Sequence, residues 1–187
     1  MLMIDPRTLI SPTDSVERKQ EFLLFCIMSV GKNSDIAASK VELILKDKPT
    51  DATPFEYLSQ VWSRSHAEQC KTGQYTRVTK AIEQAIQYDV ERITLDELTS
   101  IHGIGPKTAR FFLVHSQGKE HAVLDTHILR WMRGFFPDVP ASTPSASHYP
   151  KWERLCKMFM KAEFPEHTLL TADLMIWLNQ SKRNEST

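Results

Sequence analysis

The chain has 187 residues, enough for one good core or for two small helical lobes, and its 23 basic and 23 acidic residues cancel to a formal charge of zero. That balance excludes a nucleic-acid binder that works through global charge, so any such attraction has to be local. Cys26, Cys70 and Cys156 stand far apart with no CxxC pair, which argues against both a disulfide scaffold and a zinc site.

Residues 1–13 show no periodicity and carry Pro6 and Pro12, as expected of an arm over the surface. Asp14 with Glu17 is a helix-start pair, and the following segment, Phe22 to Met28, is apolar all round, the pattern of a buried helix that Gly31 would end. Ser34 is placed to cap a second helix running to about Asp47, and Lys48-Pro49-Thr50-Asp51 breaks it. Thr53-Pro54-Phe55-Glu56 combines a capping box with proline at the first helical position, predicting a helix that holds Tyr57, Leu58, Val61 and Trp62. After a turn at Lys71-Thr72-Gly73, Thr76 is predicted to open a helix with Val78, Ile82 and Ile86 on one face. Late in the chain, helices are expected over about 147–161 and 167–181, beyond the proline-rich loop at 137–144. No segment alternates at period two long enough for a strand, so the fold is predicted all-α, in one domain spanning 1–187. The apolar run Phe22–Val30 is too short to span a bilayer and no secretory segment is visible; an intracellular protein without a membrane partner is expected.

The middle of the chain is the most informative. Thr94 with Glu97 makes a second capping box, predicting a helix that leads into His102-Gly103-Ile104-Gly105-Pro106. Two glycines allow a turn with φ > 0 and leave backbone N–H groups open, and Pro106 suits the first turn of a helix starting near Lys107. Open amides at a helix N-terminus suit a phosphate oxygen, so Gly103, Gly105, Lys107 and Thr108, with His127 beyond, are candidates for contact with a nucleic-acid backbone. Nearby charge leans positive, with Lys107, Arg110, Lys119, Arg130 and Arg133 set against Glu120 and Asp125. A phosphate-contacting face fits that lean, although a solvated helix surface would carry the same pattern. Asp125, in Val123-Leu124-Asp125-Thr126-His127-Ile128, is both an N-cap candidate and a candidate active carboxylate.

Hairpin, lysine and LDTHI in this order resemble the helix-hairpin-helix family of base-excision DNA glycosylases. The match is firm over roughly residues 90–135 and looser over the flanking helices. Bifunctional members carry a nucleophilic lysine at the start of the second hairpin helix, where Lys107 stands, and an aspartate at the damaged nucleoside, where Asp125 stands eighteen residues later. The resemblance implies a two-lobed helical fold with a central cleft, with the hairpin (95–117) binding the backbone and a K+ or Na+ ion at its carbonyls. The endonuclease III-like branch also holds an iron–sulfur cluster on four closely spaced cysteines; this chain lacks them, and no cluster or other cofactor is expected. FLLFCIMSVGKNS near the N-terminus and DLxxW near the C-terminus are similar to the compact archaeal-type 8-oxoguanine DNA glycosylase/AP lyases. In those enzymes an aspartate and a tryptophan of the last helix and an aromatic of the lysine-bearing helix line the base pocket, the places of Asp173, Trp177 and Phe111. Trp62 is a weaker candidate for a further stacking wall. A monomer acting on double-stranded DNA with one damaged base is implied.

Each of these residues has a plainer reading. Lys107 alone would serve as a surface cation at a phosphate, Asp125 as a helix cap, Trp177 as core, and Asp173 as a solvated or ion-paired acid. A lyase lysine has to shed its proton before attacking C1′, and a carboxylate beside it stabilises positive charge on the sugar, which is why Lys107 with Asp125 is more telling than either alone. His127 reads as structural or phosphate-facing in preference to an acid or base. An acid on a helix as apolar as Leu170-Leu174-Trp177-Leu178 is costly to bury without purpose. The same chemistry on an oxidised pyrimidine or alkylated purine, and a non-catalytic DNA-binding module, remain the rival expectations.

Overall fold

A computed structural model describes residues 10–182. Among them are ten α-helices and no strand, so the all-α expectation holds. They are α1 Val16–Ser29, α2 Ser34–Ile44, α3 Pro54–Val61, α4 Arg64–Gln69, α5 Tyr75–Ala85, α6 Leu95–Ser100, α7 Pro106–Gln117, α8 Thr126–Arg133, α9 Tyr149–Glu163 and α10 Leu169–Lys182. No helix among the described residues is long and apolar enough to cross a membrane.

The chain divides into two compact units: Met1–Ile104 with His115–Gly118, and Gly105–Val114 with Lys119–Thr187. In the described part of the first, α1 is the central helix, packed against α2, α3 and α5. Its run Phe22–Met28 is buried on every side, as the sequence pattern requires. Even the polar residues preceding that run are covered. Lys19 pairs with Glu91 at 3.1 Å, Gln20 Oε1 accepts the Phe55 N–H at 3.0 Å, and Glu21 meets Arg18 at 2.9 Å. The end of α7 closes this core, with the His115 imidazole edge-on to Phe22 and Gln117 Nε2 donating to the Val90 and Ile93 carbonyls.

The second unit is built on Leu124, Ile128, Leu129, Met132, Tyr149, Cys156, Met160, Ala172 and Ile176, with α10 against α8 and α9. These residues recur at helical spacing on α8, α9 and α10, so each helix buries one stripe.

Several boundaries differ from the sequence reading. The cap of α1 is Ser15, whose side chain accepts from the Arg18 N–H; Asp14 instead takes the Ser11 N–H and closes the preceding turn. Asn33 caps α2 in place of Ser34. Helix α5 opens at Gln74, which adopts a left-handed φ of 46° and gives no side-chain cap, in place of Thr76. The short α4, capped by Ser63, has no apolar periodicity and was not anticipated. The capping boxes at Thr53 and Thr94 are both formed.

Candidate active site

Helix α6 ends at Ile101, and the Ile104 N–H returns to the Ile101 carbonyl at 3.0 Å to close the turn before α7. Only one of the two glycines uses its freedom. Gly103 has φ +83°, and a Cβ there would fall 2.9 Å from the Arg77 side chain, so the position excludes larger residues on two grounds. Gly105 does not have a positive φ, so the turn takes φ > 0 at Gly103 alone. Its role is different. The Gly105 carbonyl accepts the Ala109 N–H at 3.0 Å, making Gly105 the residue before the first turn of α7. A Cβ on it would meet nothing within 4 Å. Gly105 itself offers no side chain to cap the first-turn amides of α7, Lys107 and Thr108 among them. The carbonyls of His102, Gly103 and Ile104 accept no hydrogen bond among the described residues. They are therefore oxygen donors of the kind a K+ or Na+ ion takes. Elsewhere among the described residues no group of three or more His, Cys, Asp or Glu is placed to hold a metal.

Lys107 is half-buried in the first turn of α7, its Nζ 5.4 Å from the centroid of the Phe111 ring one turn on. Asp125 caps α8: its Oδ1 accepts both the His127 N–H at 2.9 Å and the Ile128 N–H at 2.8 Å. Both cap bonds fall on one oxygen, and Oδ2 makes none among the described residues. The capping and active-carboxylate readings of Asp125 are therefore compatible in one side chain. His127 is half-buried beside it.

The third member comes from α10. Asp173 Oδ1 is shielded from solvent and has no hydrogen-bond partner. Burial first, and then the negative charge of Asp125, push its carboxyl up to about 7, while the positive charge of Lys107 pulls it down. Lys107 on α7, Asp125 at the cap of α8 and Asp173 on α10 belong to one unit, and the charges of the first two act on the third. Cys156 on α9 lies within it: burial raises the thiol, and the charges of Asp173, Glu153 and Asp125 raise it further, so it stays protonated. Neither plain expectation for Asp173, a solvated face or an ion pair, describes a shielded oxygen without a partner. Trp177 lies one turn further along α10, and its side chain falls outside the described residues. Trp62 belongs to the other unit; its indole Nε1 donates to the Thr79 carbonyl at 3.2 Å and its ring leans on His66.

One expected cation turns inward. Arg110, grouped by sequence with the phosphate-facing charges, is only 6% exposed. Its Nε donates to Glu153 Oε2 at 2.7 Å, and its guanidinium lies 4.2 Å over the Tyr149 ring. Glu153, Tyr149 and His121 were not singled out from sequence. A signal existed for Glu153, since it is an acid among Trp152, Leu155, Cys156 and Phe159, the same kind of anomaly that marked Asp173.

Comparison of the chain with family models, with curated proteins and with solved structures found no match.

Proposed function

We propose that this protein is a bifunctional DNA glycosylase/AP lyase that removes 8-oxoguanine from double-stranded DNA, with Lys107 as nucleophile and Asp125 as its partner. The observation that carries the reading is geometric: Lys107 stands in the first turn of α7 with Phe111 under its amine, and Asp125 of the same unit caps α8 through Oδ1 alone, leaving Oδ2 for chemistry. The two-lobed helix-hairpin-helix glycosylase architecture is part of the proposal, supported by the capped α6, the Gly103 turn and the start of α7 directly after Gly105.

In this reading the first turn of α7 and the Gly105 amide receive a phosphate oxygen, and a K+ or Na+ ion on the His102–Ile104 carbonyls would add positive charge beside it. The damaged nucleotide is turned out of the duplex so that its C1′ can be reached. Lys107 Nζ, having given up its proton, attacks C1′ as the bond from C1′ to the base nitrogen breaks and the base departs with that electron pair. Oδ2 of Asp125, unengaged by the cap, stabilises the positive charge that develops on the sugar and accepts a proton from the amine. Opening of the sugar ring gives the Schiff base on Lys107, and loss of a C2′ proton then expels the 3′-phosphate by β-elimination. Phe111 would stack the base, and the unpartnered Oδ1 of Asp173 would meet its N–H donors, the feature that favours an oxidised purine.

Incubation with a panel of duplexes carrying 8-oxoguanine, an oxidised pyrimidine, an alkylated purine or no lesion tests the assignment. Base release and strand nicking specific to the 8-oxoguanine duplex are expected. Release confined to another lesion would overturn the substrate, and release from none would leave only a DNA-binding module.

A further inference from the structure

Helix α9 contributes nothing to the chemistry proposed above, yet two of its buried side chains, Tyr149 and Glu153, one turn apart, bond to the segments that carry Lys107 and Asp125. Glu153 Oε2 takes the Arg110 Nε–H at 2.7 Å. Arg110 in turn donates from its Nη1 to the Pro106 carbonyl at 3.2 Å, the residue immediately before Lys107. The other carboxylate oxygen, Oε1, meets His121 Nδ1 at 2.8 Å and the Ala122 N–H at 3.3 Å, on the stretch that leads to Asp125. Tyr149 repeats the connection one turn away. Its hydroxyl donates to the Ala122 carbonyl at 3.1 Å and accepts the Leu124 N–H at 2.8 Å, and its ring lies 4.2 Å under the Arg110 guanidinium.

We infer that Glu153 and Tyr149 are the positioning residues of the site, a clamp on α9 that sets the Lys107 turn and the Asp125 cap against each other. A reactive amine and a carboxylate on two separate segments need their separation held, and a misplacement of about 1 Å can cost about a hundredfold in rate. Glu153 is the residue whose two oxygens serve the two segments separately. Burial alone would raise its carboxyl, but bonds from His121 and Arg110 outweigh burial and hold it below the usual range, so it works as a charged acceptor. The inference rests on the glycosylase/lyase reading for its kinetic consequence and on the structure alone for its mechanical one, and the two are measured separately.

The variants are Glu153→Gln and the milder Tyr149→Phe, which removes one hydroxyl and keeps the ring under Arg110. Single-turnover cleavage at saturating 8-oxoguanine duplex should fall about 10- to 100-fold in Tyr149→Phe, with the Kd for that duplex unchanged. Amide hydrogen exchange on the free proteins should show the Leu124 and Ile128 amides losing protection in Tyr149→Phe, and those amides together with Ala109 and Arg110 doing so in Glu153→Gln, while the α10 amides stay protected. If Glu153→Gln unfolds the second unit, Tyr149→Phe carries the test alone. An unchanged rate and unchanged exchange in Tyr149→Phe would overturn the clamp. Altered exchange in a protein whose parent cleaves no lesion duplex would overturn the function and keep the clamp's mechanics. A weakened Kd with unchanged rate would make α9 part of the DNA-binding surface, against the inference.

Discussion

Replacing Asp173 by asparagine should stabilise the protein while impairing it, and the gain should grow with pH. The carboxyl ionises at about 7 in the folded chain against an ordinary 3.8. A raised carboxyl contributes stability that is fully present below the ordinary value and is lost as pH rises through the folded one, because folding near neutrality has to take up a proton or bury a charge. At about 1.36 kcal/mol per pH unit, the interval corresponds to about 4 kcal/mol above pH 7 as an upper bound. The side chain is only half-buried, so screening lowers the expected effect to about 1–2 kcal/mol. At about pH 5 the same linkage costs the parent roughly a third as much. Urea denaturation of parent and Asp173→Asn at about pH 5 and about pH 8 reads the difference directly. Asparagine keeps the volume and removes the charge, so the variant should be the more stable one, by a margin that widens from the lower pH to the higher, while release of 8-oxoguanine falls. A margin that stays constant or reverses would show that no buried, charge-crowded carboxyl sits at this position.

Other consequences follow from particular contacts. Asp125→Asn keeps an oxygen able to accept the His127 and Ile128 amides, so it should unfold within a few tenths of a kcal/mol of the parent yet lose cleavage. Asp125→Ala should lose about 1 kcal/mol of stability as well, and denaturation curves run beside nicking assays separate the two roles. Gly103→Ala forces a Cβ onto a residue with φ +83° and within 2.9 Å of Arg77, and should cost about 1–2 kcal/mol in thermal unfolding, whereas Gly105→Ala, with open space around it, should cost far less. His115, 6% exposed, is held by burial at about 4, well below its ordinary 6.5. A depressed histidine withholds its proton in the folded state, so stability should fall by up to about 3 kcal/mol as pH drops from 6.5 toward 4, a loss that His115→Leu should abolish in pH-dependent denaturation.

What could be read from sequence were the features whose physics is local. The capping boxes at Thr53 and Thr94, Pro54 at a helix start and the all-round apolar run of α1 each depend on neighbours in the chain, and each is present. Phe111 lies beside Lys107 because both share a helix face, and Asp125 caps α8 because an acid before Thr126-His127-Ile128 can reach two amides. What could not be read depends on residues distant in the chain. Arg110 looks like any exposed helix cation until Glu153, forty-three residues later, is seen to take its Nε–H. The electrostatic coupling of Asp173 to Asp125 and Lys107 likewise needs α10 packed on α8. The short α4 carries no apolar periodicity, and the left-handed Gln74 start of α5 carries no side-chain cap to announce it.

Borohydride trapping on a duplex with a single 8-oxoguanine, run for the parent and for Lys107→Gln, decides whether Lys107 forms a Schiff base. A covalent protein–DNA band is expected for the parent and should disappear in Lys107→Gln, since reduction captures only the imine between that amine and C1′. A band of equal strength in Lys107→Gln would place the nucleophile elsewhere, and no band for the parent on this duplex or on an abasic one would contradict a lysine Schiff base altogether.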